Sequence, residues 1–125
     1  MERRARVVDT TTSPHAKIRP VPIEAVKLDD GFWAPRQRVL RERTLPTQYK
    51  LCEETGRISN FRRASGKEAG YFQGYFFNDS DVYKWIEAAA FSLAAEPDGE
   101  LKNMVERVVD EVAAAQDQDG YLDTY

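Results

Sequence analysis

Two short runs of this chain carry side chains that can do more than pack. Asn78-Asp79-Ser80-Asp81 brings an amide and two carboxylates together, and Gln116-Asp117-Gln118-Asp119-Gly120-Tyr121 is followed at once by Asp123 and Tyr125. Carboxylates and amides accept hydrogen bonds from hydroxyls, and an aromatic face covers the C–H surface of a sugar ring. The inventory therefore suits a polyhydroxylated ligand, with Asp79, Asp81, Gln116, Asp119 and Tyr121 as candidate substrate-binding residues. The same residue types also serve as helix caps and a solvated rim, because short polar side chains satisfy the free N–H groups of a helix start.

The elements that must position these runs are two helices. Val82, Trp85, Ile86, Ala89, Ala90 and Leu93 follow the first run at the spacing of one helical face. Asp79 or Ser80 is the expected N-cap, and Pro97 stops the helix near Ala95 or Glu96. Asp98 then caps a second helix, in which Leu101, Met104, Val105, Val108, Val109, Val112 and Ala113 repeat with the same period and Gly120 is the expected closing residue. So short a link forces the helices antiparallel. The hairpin thus brings the start of the first helix and the end of the second to one end, and both polar runs with them.

Upstream, Met1 to Pro20 has the composition of a disordered leader, rich in Arg and Thr and without hydrophobic period. Its Arg3, Arg4, Arg6, Lys17 and Arg19 read as a solvated tail and not as a nucleic-acid contact, since no basic helix or interleaved aromatic stands behind them. Val21 to Leu28 reads as a short strand or extended segment, Asp29-Asp30-Gly31 as a turn, and Trp33 as core. A helix is expected from about Pro35 to Leu45 with Val39 and Leu40 inward. Pro46 bends or restarts it, and a further helix from Thr47 to Glu54 ends at Gly56. Arg57 to Phe77 reads as a long loop punctuated by Gly66, Gly70 and Gly74, carrying Asn60, Phe61, Tyr71, Gln73, Tyr75 and Phe76.

Composition excludes several classes. With 125 residues, 42% hydrophobic and 31% charged, the chain is an ordinary globular one with room for a single core. A net charge of −3 gives no general attraction to nucleic acid or anionic membrane. No apolar run is long enough to span a bilayer, and the basic start lacks the apolar stretch of a secretory signal, so no membrane partner and a cytoplasmic location are expected. The single cysteine, Cys52, excludes an intrachain disulfide and reads as a buried structural thiol. One Cys and one His do not make a zinc site of the usual kind. Glu87, two turns into the first hairpin helix, reads as a salt-bridge residue and not as a general acid. Tyr121-Leu122-Asp123-Thr124-Tyr125 lacks the polar fade of a natural terminus, and two helices with broad apolar faces need further partners. The expectation is the opening of a larger helical protein, able to self-associate through its exposed apolar helix faces. The alternative is a non-enzymatic helical binding module.

Four blocks in order carry a resemblance: Asp30-Gly31-Phe32-Trp33, then Thr55 to Phe61, then Asp79 to Glu87, then Ala115 to Leu122. Together they make the stretch from about Val21 to Tyr125 resemble the N-terminal part of glycoside hydrolase family 127, the β-L-arabinofuranosidase-like proteins. The resemblance implies an all-α fold, part of an (α/α)6 barrel, with residues 21–125 as its incomplete opening. It implies a domain that releases terminal β-L-arabinofuranosyl or related pentosyl residues with retention, so that the partner is an arabinose-containing oligosaccharide. The family departs from the usual two-carboxylate scheme: a zinc-bound cysteine is the nucleophile and a glutamate the acid/base. The family's positions for those groups lie beyond this sequence, and Cys52 is not among them. No catalytic residue and no metal ligand are therefore assigned here, and zinc is expected only in the full-length family domain.

Overall fold

A computed structural model describes residues 6–125 of the chain, and the Arg3 and Arg4 part of the basic leader lies outside the described residues. The helices are α1 (Trp33–Val39), a π segment (Leu40–Thr44), α2 (Leu45–Glu54), α3 (Arg57–Ala64), α4 (Asp79–Ala95) and α5 (Gly99–Ala114). The all-α expectation holds, and no strand occurs among the described residues. Val21 to Leu28 is accordingly not a strand: it holds a single 3₁₀ turn, Ile23–Ala25. A lone strand has no neighbour to take up its backbone hydrogen bonds, and none is at hand here.

The two helices expected on either side of Pro46 are one helix from Trp33 to Glu54, which absorbs the proline by widening. The Leu45 N–H reaches back five residues to the Leu40 carbonyl, which is π-type bonding. A proline ring ordinarily collides with the carbonyl four residues before it. The wider turn directly ahead of Pro46 removes that conflict, so the chain neither breaks nor restarts. The start is capped by Asp30, whose Oδ1 accepts from the Phe32 N–H at 2.6 Å and the Trp33 N–H at 2.5 Å.

Thr55 and Gly56, the latter at φ +76°, turn the chain straight into α3. The expected loop from Arg57 to Phe77 is therefore helical in its first part. Only Ile58 and Phe61 are apolar and buried on this short helix, too few to show a period in sequence. α4 and α5 form the expected antiparallel hairpin. Asp98 caps α5, its Oδ1 accepting from the Leu101 N–H at 3.0 Å. The other expected caps are not used. α4 starts behind Asn78 with no side-chain cap, and α5 ends at Ala114, well before Gly120. Gly120 instead closes a separate turn, its N–H donating to the Asp117 carbonyl at 2.9 Å with φ +92°.

The core lies where α2, α3, α4 and α5 meet: Leu45, Cys52, Ile58, Phe61, Val82, Trp85, Ala89, Leu101 and Val108 are buried. Trp33 is not among them. It is 56% exposed and packs edge-to-face on Phe32 at 4.9 Å, while Arg36 lies over the Phe32 ring at 3.7 Å. Val39 and Leu40 are exposed as well, at the end of α1 and the start of the π segment, outside the four-helix core. Glu87 is exposed, and none of the ion pairs found among the described residues uses it. It points away from the packed face that Val82, Trp85 and Ala89 share.

A web of charge ties α2, α3 and α5 together. Arg62 forks onto Glu53 at 2.9 and 2.7 Å and extends Nε to Glu111 at 3.4 Å, Lys67 reaches Glu111 at 2.9 Å, and the Tyr49 hydroxyl donates to Glu53 at 3.2 Å. Hydrogen bonding from Arg62 holds the Glu53 carboxyl below its ordinary pKa, and Lys67, followed by Arg62, does the same for Glu111. Carboxylates depressed in the folded state contribute stability that is present above their unfolded pKa and lost as pH falls through the folded value. Acid titration is thus expected to lower the unfolding midpoint from about pH 4.5 downward. Arg62→Met should reduce stability at pH 7 by about 2 kcal/mol and flatten that acid dependence. Urea unfolding across pH 3 to 7 checks both, and an unchanged acid slope in the variant would count against the web.

Candidate functional site

The hairpin brings the two polar runs together at one end through a direct bond. Asp79 is 7% exposed, and its carboxylate accepts from the Thr124 N–H at 2.9 Å and the Thr124 hydroxyl at 2.6 Å. The last residues of the chain are thereby bolted to the first turn of α4. Gln116 and Asp119 shape the intervening turn. Gln116 Nε2 donates to the Gly120 carbonyl at 2.8 Å, and Asp119 Oδ1 accepts from the Tyr121 N–H at 2.9 Å. Tyr121 stays open to solvent, its hydroxyl 3.5 Å from Asp123 Oδ2.

Asp81 has a different task. It accepts from Arg57 Nε at 2.8 Å and lies 3.8 Å from Lys84 Nζ. This pairing joins α4 to the start of α3, on the side of a shallow groove lined in part by Leu40, Leu51, Cys52 and Trp85. Of the candidate residues, Asp79, Gln116, Asp119 and Tyr121 thus share one end of the hairpin, with Asp81 engaged along its flank. Asp79 has both oxygens occupied, whereas Asp119 and Tyr121 keep solvent-facing surface.

The later part of the long loop expected from Arg57 to Phe77, with Tyr71, Gln73, Tyr75 and Phe76, runs alongside this end. Between α3 and α4, Tyr71, Phe72, Tyr75, Phe76 and Phe77 lie in one loop, and all but Phe72 are exposed. Tyr75 and Phe77 lie parallel, within 1°, at a centroid distance of 5.3 Å. Tyr125 meets Phe72 edge-to-face at 5.2 Å and Phe76 at 6.4 Å, so the terminus held by Asp79 adds its ring to the same surface. The loop is fixed from beneath. Asn60, 1% exposed, gives Nδ2 to the Gln73 carbonyl at 2.9 Å and takes the Gln73 N–H on Oδ1 at 3.0 Å. Asn78 donates to the same carbonyl at 3.3 Å. The legible signal was a pair of asparagines flanking a Gly-punctuated aromatic run.

Gly74 sits at φ +99°, and a Cβ there would fall 2.2 Å from Asn78 Nδ2. Gly74→Ala is expected to cost about 2–3 kcal/mol by combining left-handed strain with loss of the Asn78 contact. Urea unfolding measures the cost, and a change below about 0.5 kcal/mol would mean that the loop is not held as described.

Titratable groups near this end serve packing. The Tyr83 phenol is raised by burial first and then by the charges of Asp79 and Asp123. Cys52 is buried and its thiol pKa is raised, chiefly by desolvation, which keeps it protonated and a poor nucleophile. Among the described residues no three His, Cys, Asp or Glu side chains gather closely enough to hold a metal ion. The described residues therefore offer no ligand set that fits a zinc ion. No helix of the described residues is long and apolar enough to cross a membrane.

Residues 25–125 match the model of the β-L-arabinofuranosidase GH127 catalytic domain. A non-reducing end β-L-arabinofuranosidase of Bifidobacterium longum subsp. longum is 36% identical over 79% of this chain and 18% of its own length. Among solved structures, a GH127 β-arabinofuranosidase superposes with a TM-score of 0.75 at 45% identity, covering 84% of this chain and 17% of that one. A GH127 β-L-arabinofuranosidase from Geobacillus stearothermophilus T6 gives a TM-score of 0.78 at 38% identity, covering 80% of this chain and 17% of that one. The chain thus spans less than a fifth of the length of each of these relatives.

Proposed function

Because this chain belongs to the GH127 β-L-arabinofuranosidase catalytic-domain family, we propose that it supplies the opening helices of a barrel that releases terminal β-L-arabinofuranosyl, or related pentosyl, residues. The observation that carries this reading is the family match over residues 25–125, continuous through α1 to α5. The chain's own contribution is architectural. It sets the α4–α5 hairpin, bolts Thr124 to Asp79, and presents Asp119 and Tyr121 at one end, where hydroxyl groups of an arabinose-containing oligosaccharide can meet an acceptor and a ring.

The exposed Val39, Leu40 and Leu51 along α1 and α2 supply the lateral surface on which further helices pack. Presented without a cover, the same surface supports self-association, which sedimentation velocity would register as mass rising with concentration.

The division of labour is tested by activity. The purified 125-residue chain should leave an aryl β-L-arabinofuranoside intact, whereas the protein of its source that carries this stretch should release the aryl group. Turnover by the 125-residue chain alone would overturn the architectural role. A source protein that leaves every aryl pentofuranoside intact would overturn the substrate.

A further inference from the structure

Asp79 is the least accessible of the candidate residues at the polar end of the hairpin. It is buried in the first turn of α4, with Thr124 on both of its oxygens. A carboxylate is costly to bury unless its oxygens find donors. Here both donors come from one residue 45 positions away, and little carboxylate surface is left for a hydroxyl of a ligand.

The segment that Asp79 holds has few other ties. Residues 116–121 close on themselves. The Asp117 N–H donates to the Tyr121 carbonyl at 2.9 Å, the Gly120 N–H to the Asp117 carbonyl at 2.9 Å, and Gln116 Nε2 to the Gly120 carbonyl. Such a turn keeps its shape but does not fix its own place on the fold. Leu122 packs against the core and Tyr125 against Phe72. Among the described residues, the hydrogen bonds that join residues 117–125 to another helix are those from Thr124 to Asp79.

We infer, resting on the functional reading above for the reaction, that Asp79 is a positioning residue: through Thr124 it sets where the turn carrying Asp119 and Tyr121 stands, and so governs substrate affinity without touching substrate. Two features separate this role from contact. The first is that it does not need charge. The Thr124 hydroxyl can accept as well as donate, so an amide at position 79 can take the N–H on its oxygen and give its own N–H to the hydroxyl. The second is that it needs Thr124 as much as Asp79, whereas contact with a sugar needs Asp79 alone.

The test is steady-state kinetics of the source protein on an aryl β-L-arabinofuranoside, with variants at both positions. Asp79→Ala is expected to raise KM about tenfold while kcat changes less than about threefold. Asp79→Asn and Thr124→Ser should stay within about twofold of the parent. Thr124→Val, which removes one of the two bonds, should raise KM about threefold, and adding it to Asp79→Ala should change nothing further. A smaller folded fraction would depress kcat and leave KM alone, so the split separates positioning from lost stability. Thr124→Val at parental KM, beside a raised KM in Asp79→Ala, would overturn the inference in favour of direct contact. Asp79→Asn as impaired as Asp79→Ala would overturn it as well, since charge would then be the requirement. Parental KM in every variant, with an active parent, would overturn it and leave the reaction standing. A parent inactive on every aryl pentofuranoside would overturn the reaction, and the role in affinity with it.

Discussion

Phe61→Ala is expected to remove about 3–5 kcal/mol of stability. Phe61 is wholly buried, lies among Leu45, Ile58, Val82 and Trp85 in the core, and meets Tyr83 at 5.8 Å in an edge-to-face contact. Its truncation forfeits the transfer free energy of a ring and leaves a void at the place where the short α3 is held to α4. The other buried anchors of α3 are Ile58 and Asn60, beside the ion pairs of Arg57 and Arg62. Such a loss is a large part of the roughly 5–15 kcal/mol available to a domain. The variant should therefore unfold at much lower urea, and the aromatic loop clamped by Asn60 should lose its order with it. Urea unfolding followed by circular dichroism measures the first effect. A loss below about 1 kcal/mol would show that α3 is held by its ion pairs instead.

Trp85→Ala is expected to rank beside it, at about 3–5 kcal/mol, for a partly different reason. The indole is buried, tilts against Tyr49 at 5.4 Å, and donates Nε1–H to the Leu45 carbonyl at 2.9 Å. That carbonyl stands just past the π segment, deep in the core. Truncation therefore opens a cavity and also strips a buried acceptor of a donor, and each change carries its own cost. Trp85→Phe separates the two: it keeps most of the volume, so about 1–2 kcal/mol of loss should remain for the missing hydrogen bond. Near-UV circular dichroism together with urea unfolding of both variants gives the split. Equal losses for the two variants would assign the whole effect to the hydrogen bond and none to packing. The other tryptophan, Trp33, is exposed and serves as an internal control.

The hairpin was legible because it is written in long periodic runs. Val82, Trp85 and Ala89 on one helix and Leu101 and Val108 on the next occupy the buried face that their spacing implied. Asp98 was legible as a cap because the residue before a helix has few competing uses. The failures share a physical cause, namely side chains or segments whose role depends on a distant partner. Asp79 looks like a cap from its neighbours, and only the fold shows Thr124, forty-five positions away, taking both its oxygens. Trp33 reads as core by type, but in the fold its packing partner is its exposed neighbour Phe32 and it stays 56% exposed. α3 escaped because its apolar positions are two and its most buried polar residue, Asn60, faces a backbone that sequence spacing does not disclose. Pro46 reads as a bend or a restart because a proline's conflict with the previous turn is local, whereas its relief by a widened turn is set by the helix as a whole. At the candidate site, the meeting of the two polar runs followed from the hairpin alone. The loop with Tyr71, Tyr75 and Phe76 was legible as a loop from its glycines, but its clamping by Asn60 and its contact with Tyr125 were not, since neither partner is adjacent in sequence.

The widened turn at Leu40–Thr44 also sets a phase. Each residue of an α-helix turns the chain by about 100°, so one extra residue in a single turn rotates everything N-terminal to it by that amount relative to α2. The long helix therefore acts as a shaft with an offset coupling. α2 aims Leu45 and Cys52 at the core, while Trp33 and Val39 on α1 lie exposed. A single long helix thus has one half that packs Leu45 and Cys52 into its own bundle and one half whose Trp33 and Val39 stay exposed.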